Sequence, residues 1–102
     1  MKESDIMRAC MIAACECGAI VWRNNVGALL DKRGVLVRYG LCVGSSDLIG
    51  IYKSRFLALE IKQPGKKPTS EQVNFLRVVK EHGGIAAVVF SADDVKKLLT
   101  GL

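Results

Sequence analysis

This chain has little of several things, and each shortage narrows what it can be. It has one histidine, His82. That residue falls near the end of a predicted helix, where a solvated or capping role is expected rather than catalysis. No apolar run approaches the ~20 residues needed to span a membrane. The opening Met1-Lys2-Glu3-Ser4-Asp5 is too acidic for the n-region of a signal peptide, and no long apolar segment follows. A soluble, intracellular protein of the cytoplasm is expected. Aromatic residues are sparse, with one Trp, two Tyr and three Phe. They do not cluster, so no stacking platform for single-stranded nucleic acid is expected. There is no internal repeat, low-complexity segment or inter-domain linker. Three of the cysteines, Cys10, Cys15 and Cys17, sit in a predicted helix, and with Cys42 they match no zinc ribbon or finger. They are expected to be reduced, mostly buried small side chains.

What is present is 102 residues, enough for one domain with a real core, residues 1–102. Half the residues are apolar and a quarter charged, an ordinary globular balance. A net charge of +5 and a pI of about 9.2 favour a polyanionic partner.

Ile6, Cys10, Ala14 and Cys17 recur at helical spacing, so residues 4–17 read as a helix that stops at Gly18. Ala19 to Arg23 reads as a short strand, and Asn24-Asn25-Val26-Gly27 as a turn. Residues 28–34 show no period, and Asp31-Lys32-Arg33-Gly34 is turn chemistry. Val35 to Tyr39 reads as a second short strand. Gln63-Pro64-Gly65-Lys66-Lys67-Pro68 is the clearest loop. Thr69-Ser70-Glu71-Gln72 opens a helix as a capping box, with Thr69 at N-cap and Gln72 at N3. Gly83-Gly84 end that helix. Ile85 to Phe90 is an apolar, β-branched strand of the kind buried on both faces, and Ser91 caps a last helix over 92–99. A mixed sheet flanked by helices is expected, an α/β fold.

The stretch from Asp47 to Lys62 carries the chemistry. It reads as two apolar strands, Asp47 to Tyr52 and Phe56 to Lys62. With Lys53 and Ser54 at the hairpin tip, counting back from the turn sets Asp47 opposite Glu60. Opposed side chains share a face with Cβ atoms about 4.5–5.5 Å apart. Lys62 projects to the same side. Two carboxylates about 5 Å apart repel by roughly 3 kcal/mol at an effective dielectric near 20. A cation between them removes that cost. Two carboxylates and a main-chain carbonyl, here that of Ile61, are hard oxygen ligands for Mg²⁺ or Mn²⁺. Such an ion acidifies water and stabilises charge on phosphoryl oxygens, while a nearby lysine orients the water or contacts the phosphate. Asp47 and Glu60 are therefore candidate metal ligands and Lys62 the candidate catalytic cation. The plain structural reading is strand-end charges that reach solvent and pair with each other. Lys66 and Lys67, on the loop after the site, and Arg23 are the candidate phosphate contacts.

These residues resemble the VRR-NUC group of PD-(D/E)XK nucleases, in its small stand-alone, phage-type form. The resemblance rests on Gly44-Ser45-Ser46-Asp47-Leu48-Ile49-Gly50, on Leu59-Glu60-Ile61-Lys62-Gln63-Pro64-Gly65, and on the helix start Thr69-Ser70-Glu71-Gln72. Ser46 stands where the superfamily name has proline. The resemblance implies a restriction-endonuclease-like core in the order α-β-β-β-α-β-α, and metal-dependent cleavage of DNA leaving 5′-phosphate and 3′-hydroxyl ends. It carries the family's acid, Glu-x-Lys and helix glutamine onto Asp47, Glu60, Lys62 and Gln72. It puts the N-terminal helix acid on Glu3, which would complete the metal shell through water or hold a second ion. Gln72 as a cap and Glu3 as a first-turn acid need no further role, and both readings stay open. Branched DNA, four-way junctions above all, and a homodimer acting on them are expected. The apolar residues of 26–42, such as Val26, Leu29, Leu30, Val35 and Leu36, are the candidate interface. A non-catalytic nucleic-acid-binding module on the same fold and a nuclease subunit active only with a partner protein are the alternatives.

Overall fold

A computed structural model describes residues 1–102. Helix α1 (Glu3–Glu16) buries Ile6, Cys10, Ala13 and Ala14, an i, i+4, i+7, i+8 stripe that faces the sheet. Gly18 ends it at φ 94°, as a residue without Cβ readily does. Strand β1 (Ile20–Arg23) follows. Strands β2 (Gly27–Leu30) and β3 (Leu36–Tyr39) form a hairpin that pairs only with itself.

Strands β4 (Leu48–Tyr52) and β5 (Arg55–Ile61) form the second hairpin. Lys53 and Ser54 sit at its tip with φ 48° and 66°, both in the left-handed region that a two-residue turn of type I′ requires. Tyr52 pairs with Arg55, and the register runs on to Leu48 opposite Leu59, as the sequence predicts. Helix α2 (Ser70–Glu81), strand β6 (Ile85–Val89) and helix α3 (Ala92–Thr100) complete the chain. Strand β6 pairs parallel with β5, so the main sheet has the order β1-β4-β5-β6 and is mixed.

Alternation along β5 sends Leu57, Leu59 and Ile61 to one face, where they pack with α1 and with Val95 and Leu99 of α3. It sends Ala58 to the other face, with Leu76 and Val79 of α2 and Ala86 of β6. Gly50 is the pinch point of the sheet. A Cβ there would lie 2.0 Å from the carbonyl oxygen of Ile20, so only glycine lets β1 approach β4.

Two expectations change. Residues 27–30 are a strand, where the sequence shows a turn running into an aperiodic stretch. Gly-Ala-Leu-Leu has no alternation and no β-branched residue. It is extended because Leu29 and Leu30 find Val37 and Leu36 across the hairpin. The cysteines are free, but only Cys10 is buried; Cys15 and Cys42 are exposed and Cys17 is half-buried. Cys15 faces away from the buried stripe of α1, and Cys42 follows the self-paired hairpin. His82 is the exposed C-cap of α2.

Candidate active site

The chain enters the site through a polar clamp. Asn24, one residue past β1, donates its main-chain N–H to Asp47 O at 2.8 Å. Its side-chain amide donates to Ser45 Oγ (2.8 Å) and Ser46 O (2.9 Å). Ser46 is buried, and its hydroxyl donates to Leu48 O at 2.8 Å. Gly44, at φ 85°, lies so close to Glu71 that an added Cβ would be 2.7 Å from Glu71 Cβ. The segment 44–47 is thus held between β1 and the first turn of α2. Nothing in the sequence of Asn24-Asn25 marks the clamp beyond the polar, turn-forming residues themselves.

Asp47 and Glu60 do not simply face each other. Asp47 stands just ahead of β4 and donates its main-chain N–H to Glu60 Oε1 at 3.2 Å. Its own Oδ2 accepts the Ile61 N–H at 2.9 Å. The two side chains are interlocked through the backbone of the paired strand. Lys62 Nζ lies 3.6 Å from Glu60 Oε2, which places the third charge where the Glu-x-Lys spacing predicts. Lys62 donates its main-chain N–H to Val89 O. The main-chain groups of Ile61 therefore point the opposite way, toward Asp47, and its carbonyl lies on that side.

Glu60 is 1% exposed. Burial pushes its carboxyl up to about 7 from an ordinary 4.5; the Asp47 charge adds to the rise and the Lys62 ammonium opposes it. A buried carboxylate beside a second acid is a place where a divalent cation is favoured. The donor types fit Mg²⁺ or Mn²⁺: two carboxylates and a main-chain carbonyl, all hard oxygens. No group of three or more His, Cys, Asp or Glu side chains is close enough to hold an ion by itself. Mg²⁺ suits such a set, because it keeps several waters and takes one or two carboxylates.

The remaining candidates are placed around this centre. Gln72 turns back on its own helix: its Oε1 accepts the Thr69 N–H at 2.8 Å, and Thr69 Oγ1 accepts the Gln72 N–H at 3.2 Å. Glu3 is exposed in the first turn of α1 and is not gathered with Asp47 and Glu60 into a metal-holding cluster. The start of α1 does lie beside the exit of β5, since Gln63 Nε2 donates to Met1 O at 2.9 Å. Lys66 and Lys67 are exposed on the loop that follows. Arg23 is exposed at the end of β1, opposite Leu48.

The fold matches one already seen in a solved structure. A solved structure described as a VRR_NUC domain superposes with a TM-score of 0.66, over 96% of this chain and 94% of its own, at 21% identity. No family model matches the sequence, and no curated protein does. The chain therefore shares the α/β fold of that VRR_NUC domain, and its β2–β3 hairpin lies in sequence between β1 and β4, which are neighbours in the main sheet. No helix is long and apolar enough to cross a membrane.

Proposed function

We propose that residues 1–102 form a single VRR-NUC-like domain acting as a Mg²⁺- or Mn²⁺-dependent DNA endonuclease that hydrolyses phosphodiester bonds, selects branched DNA, and works inside the cell. The observation that carries this reading is the buried Glu60, interlocked with Asp47 and paired with Lys62 at one end of the sheet. A structural ion pair of Glu60 with Lys62 would have no use for a second carboxylate, which adds repulsion and has no cationic partner of its own. Asp47, Glu60 and the Ile61 carbonyl are the ligand set. A divalent cation held there supplies Lewis acidity toward a phosphoryl oxygen and acidifies a water.

The protein's own part is positioning. The Ile61 N–H holds Asp47 Oδ2, and the Asp47 N–H holds Glu60 Oε1, so both carboxylates are aimed before substrate arrives. Lys62 shifts from Glu60 to the scissile phosphate or to the attacking water, where its charge is worth more as negative charge develops. Gln72 and Glu3 support the site, Gln72 by a turn of its amide away from the cap and Glu3 through water. Lys66, Lys67 and Arg23 hold backbone phosphates.

The active form is a homodimer. Two copies about a two-fold axis place two sites on two strands, which suits a four-way junction. The exposed apolar side chains of β2–β3 supply the surface.

The deciding experiment is cleavage of linear, flapped, splayed and four-way DNAs with and without Mg²⁺. Metal-dependent paired nicks on the four-way substrate are expected. Binding without cleavage under every metal condition would instead favour a non-catalytic module, and activity only on adding a partner protein would favour a subunit.

A further inference from the structure

Arg8, Arg23 and Ser4 converge on a second feature near this end of the sheet. They line a cavity of about 270 Å³ between α1 and β1, walled on its remaining sides by Met7 and Met11. Ser4, Arg8 and Met11 are spaced i, i+4 and i+7, so one face of α1 presents them together. Arg23 alternates with Trp22 along β1 and lies on the side of the sheet that α1 covers.

The chemistry of this cavity is one-signed. No carboxylate lines it. The ion pairs of the molecule belong to Arg33, Lys62, Arg77 and Lys96, so neither Arg8 nor Arg23 has an acidic partner within 4.0 Å. Arg33, Arg55 and Arg77 are committed to Asp31, to the Gly83 and Gly84 carbonyls, and to Asn74 and Glu81. Arg8 and Arg23 donate to nothing. Two unpaired guanidiniums beside one small cavity repel, and an anion between them removes that repulsion. The thioethers of Met7 and Met11 give the cavity two apolar sides. A tetrahedral oxyanion matches the forked donors of arginine and the hydroxyl of serine.

Position selects the anion. Arg23 pairs with Leu48, which adjoins Asp47, and Asn24 is bonded to Asp47. The cavity therefore lies at the same end of the sheet as the carboxylates, on the α1 side, while Asp47 and Glu60 face the α2 side. Strand β1 is the sheet edge, so a chain passing over that end can reach both. We propose that Arg8, Arg23 and Ser4 form a cradle for a single DNA backbone phosphate, flanking the one presented to Asp47 and Glu60. The cradle rests on the reading of DNA as the substrate, and it adds Arg8 and Ser4 to the contact surface.

The test is a double-mutant cycle on binding, with Ca²⁺ in place of Mg²⁺ so that chemistry does not enter. Fluorescence anisotropy on labelled four-way and linear DNA, from 50 to 200 mM salt, is measured for the full chain and for R8A, R23A and R8A/R23A. Each single variant is expected to bind about tenfold more weakly, with a salt slope lower by about one. The double variant is expected to lose little more than either single, because both arginines serve one phosphate. Unaltered thermal unfolding shows that the fold is intact, as expected for exposed side chains. Unchanged slopes in a protein that binds and cuts DNA would overturn the cradle and leave the nuclease reading standing. Fully additive losses would also overturn it, since they mean two separate contacts. A wild-type protein that binds no DNA would remove both proposals, whereas coupled binding losses in a protein that never cuts would keep the cradle and remove the nuclease.

Discussion

The chain builds two antiparallel hairpins from similar material and puts them to opposite uses. In β4–β5 the strands are buried from Leu57 to Ile61, with Leu48, Leu57, Leu59 and Ile61 wholly inside. In β2–β3 no side chain is buried, and Leu30 is 66% exposed. The radius of gyration is 14.2 Å, above the ~13 Å of a compact 100-residue domain, as a protruding hairpin requires. Apolar strand sequence alone therefore does not decide burial. What decides it is whether a helix face waits beneath the strand. Strand β5 lies between α1 and α3 on one side and α2 on the other. Strands β2 and β3 have no substantial packing on any other element.

The first way to test this contrast is through the chemistry proposed for the buried hairpin. Asp47→Ala is expected to lower the cleavage rate by at least about 10²–10³-fold. Thermal stability should stay close to wild type, because the lost hydrogen bond to Ile61 is offset by relief of the Glu60 charge. Lys62→Ala should lose cleavage to a similar degree and keep metal binding, which calorimetry with Mn²⁺ can read. Wild-type cleavage by Asp47→Ala would show that the interlocked pair is only structural.

Packing provides the next contrast. Leu59→Ala, in the fully buried strand, is expected to cost about 2–5 kcal/mol. Leu36→Ala, in the exposed hairpin, should change the stability of the dilute protein by less than about 0.5 kcal/mol. Urea titration of the two variants side by side decides it, and equal losses would mean that the β2–β3 hairpin is packed in solution in a way the fold does not show.

Much of this was legible in the sequence because the signals were local. The β4–β5 register follows from placing Lys53-Ser54 at the turn, and the α2 cap from Thr69 and Gln72. Period-2 alternation put Glu60 and Lys62 on one face. Strand β2 was not legible, because its extended state depends on a partner strand rather than on its own residues. The burial of Glu60 was not legible either. It arises from α2 closing over β5 and from a clamp centred on Asn24, both contacts between residues far apart in the chain. The convergence of Arg8 with Arg23 has the same origin: a helix face and a strand edge that only the tertiary fold brings together.

The buried carboxyl gives a pH signature that the exposed hairpin cannot. With its pKa pushed up to about 7 from 4.5, Glu60 holds its proton more tightly in the folded chain than in the unfolded one. Protonation therefore stabilises the metal-free fold. This contribution is fully present below about 4.5 and is lost as the pH rises through about 7, a change on the order of 3 kcal/mol. Urea titrations of metal-free protein from pH 4.5 to 8 should show it, and Glu60→Gln should flatten it. An equal slope in the Glu60→Gln protein would assign the dependence to other groups.

The smallest effect on the single chain, and the sharpest on its assembly, is expected from the exposed hairpin. A two-stranded hairpin with nothing beneath it is marginal in water, yet it exposes apolar side chains on both faces, the Leu29–Val37 pair on one and the Leu30–Leu36 pair on the other. On the main sheet, Ile20, Trp22, Ile51 and Phe56 are also exposed. The pairing of Ile20 with Ile51 and of Ile51 with Phe56 puts these side chains on the site's own face; α2 does not pack substantially on β1 or β4, and Phe56 shares a cleft with Val78 and Val79 of α2. Exposed apolar side chains in this number are the surface a partner would cover, and a second copy is the occupant that the proposed two-fold function requires. Leu30→Lys should therefore leave the unfolding midpoint of dilute protein near wild type. In light scattering at micromolar concentration it should shift the protein from dimer to monomer. Paired nicks on a four-way junction should become single nicks, while each copy keeps its own Asp47, Glu60 and Lys62. A wild-type protein that scatters as a monomer would leave the hairpin without its partner. A Leu30→Lys protein that still pairs its nicks would place the dimer contact on the open sheet face around Trp22 instead.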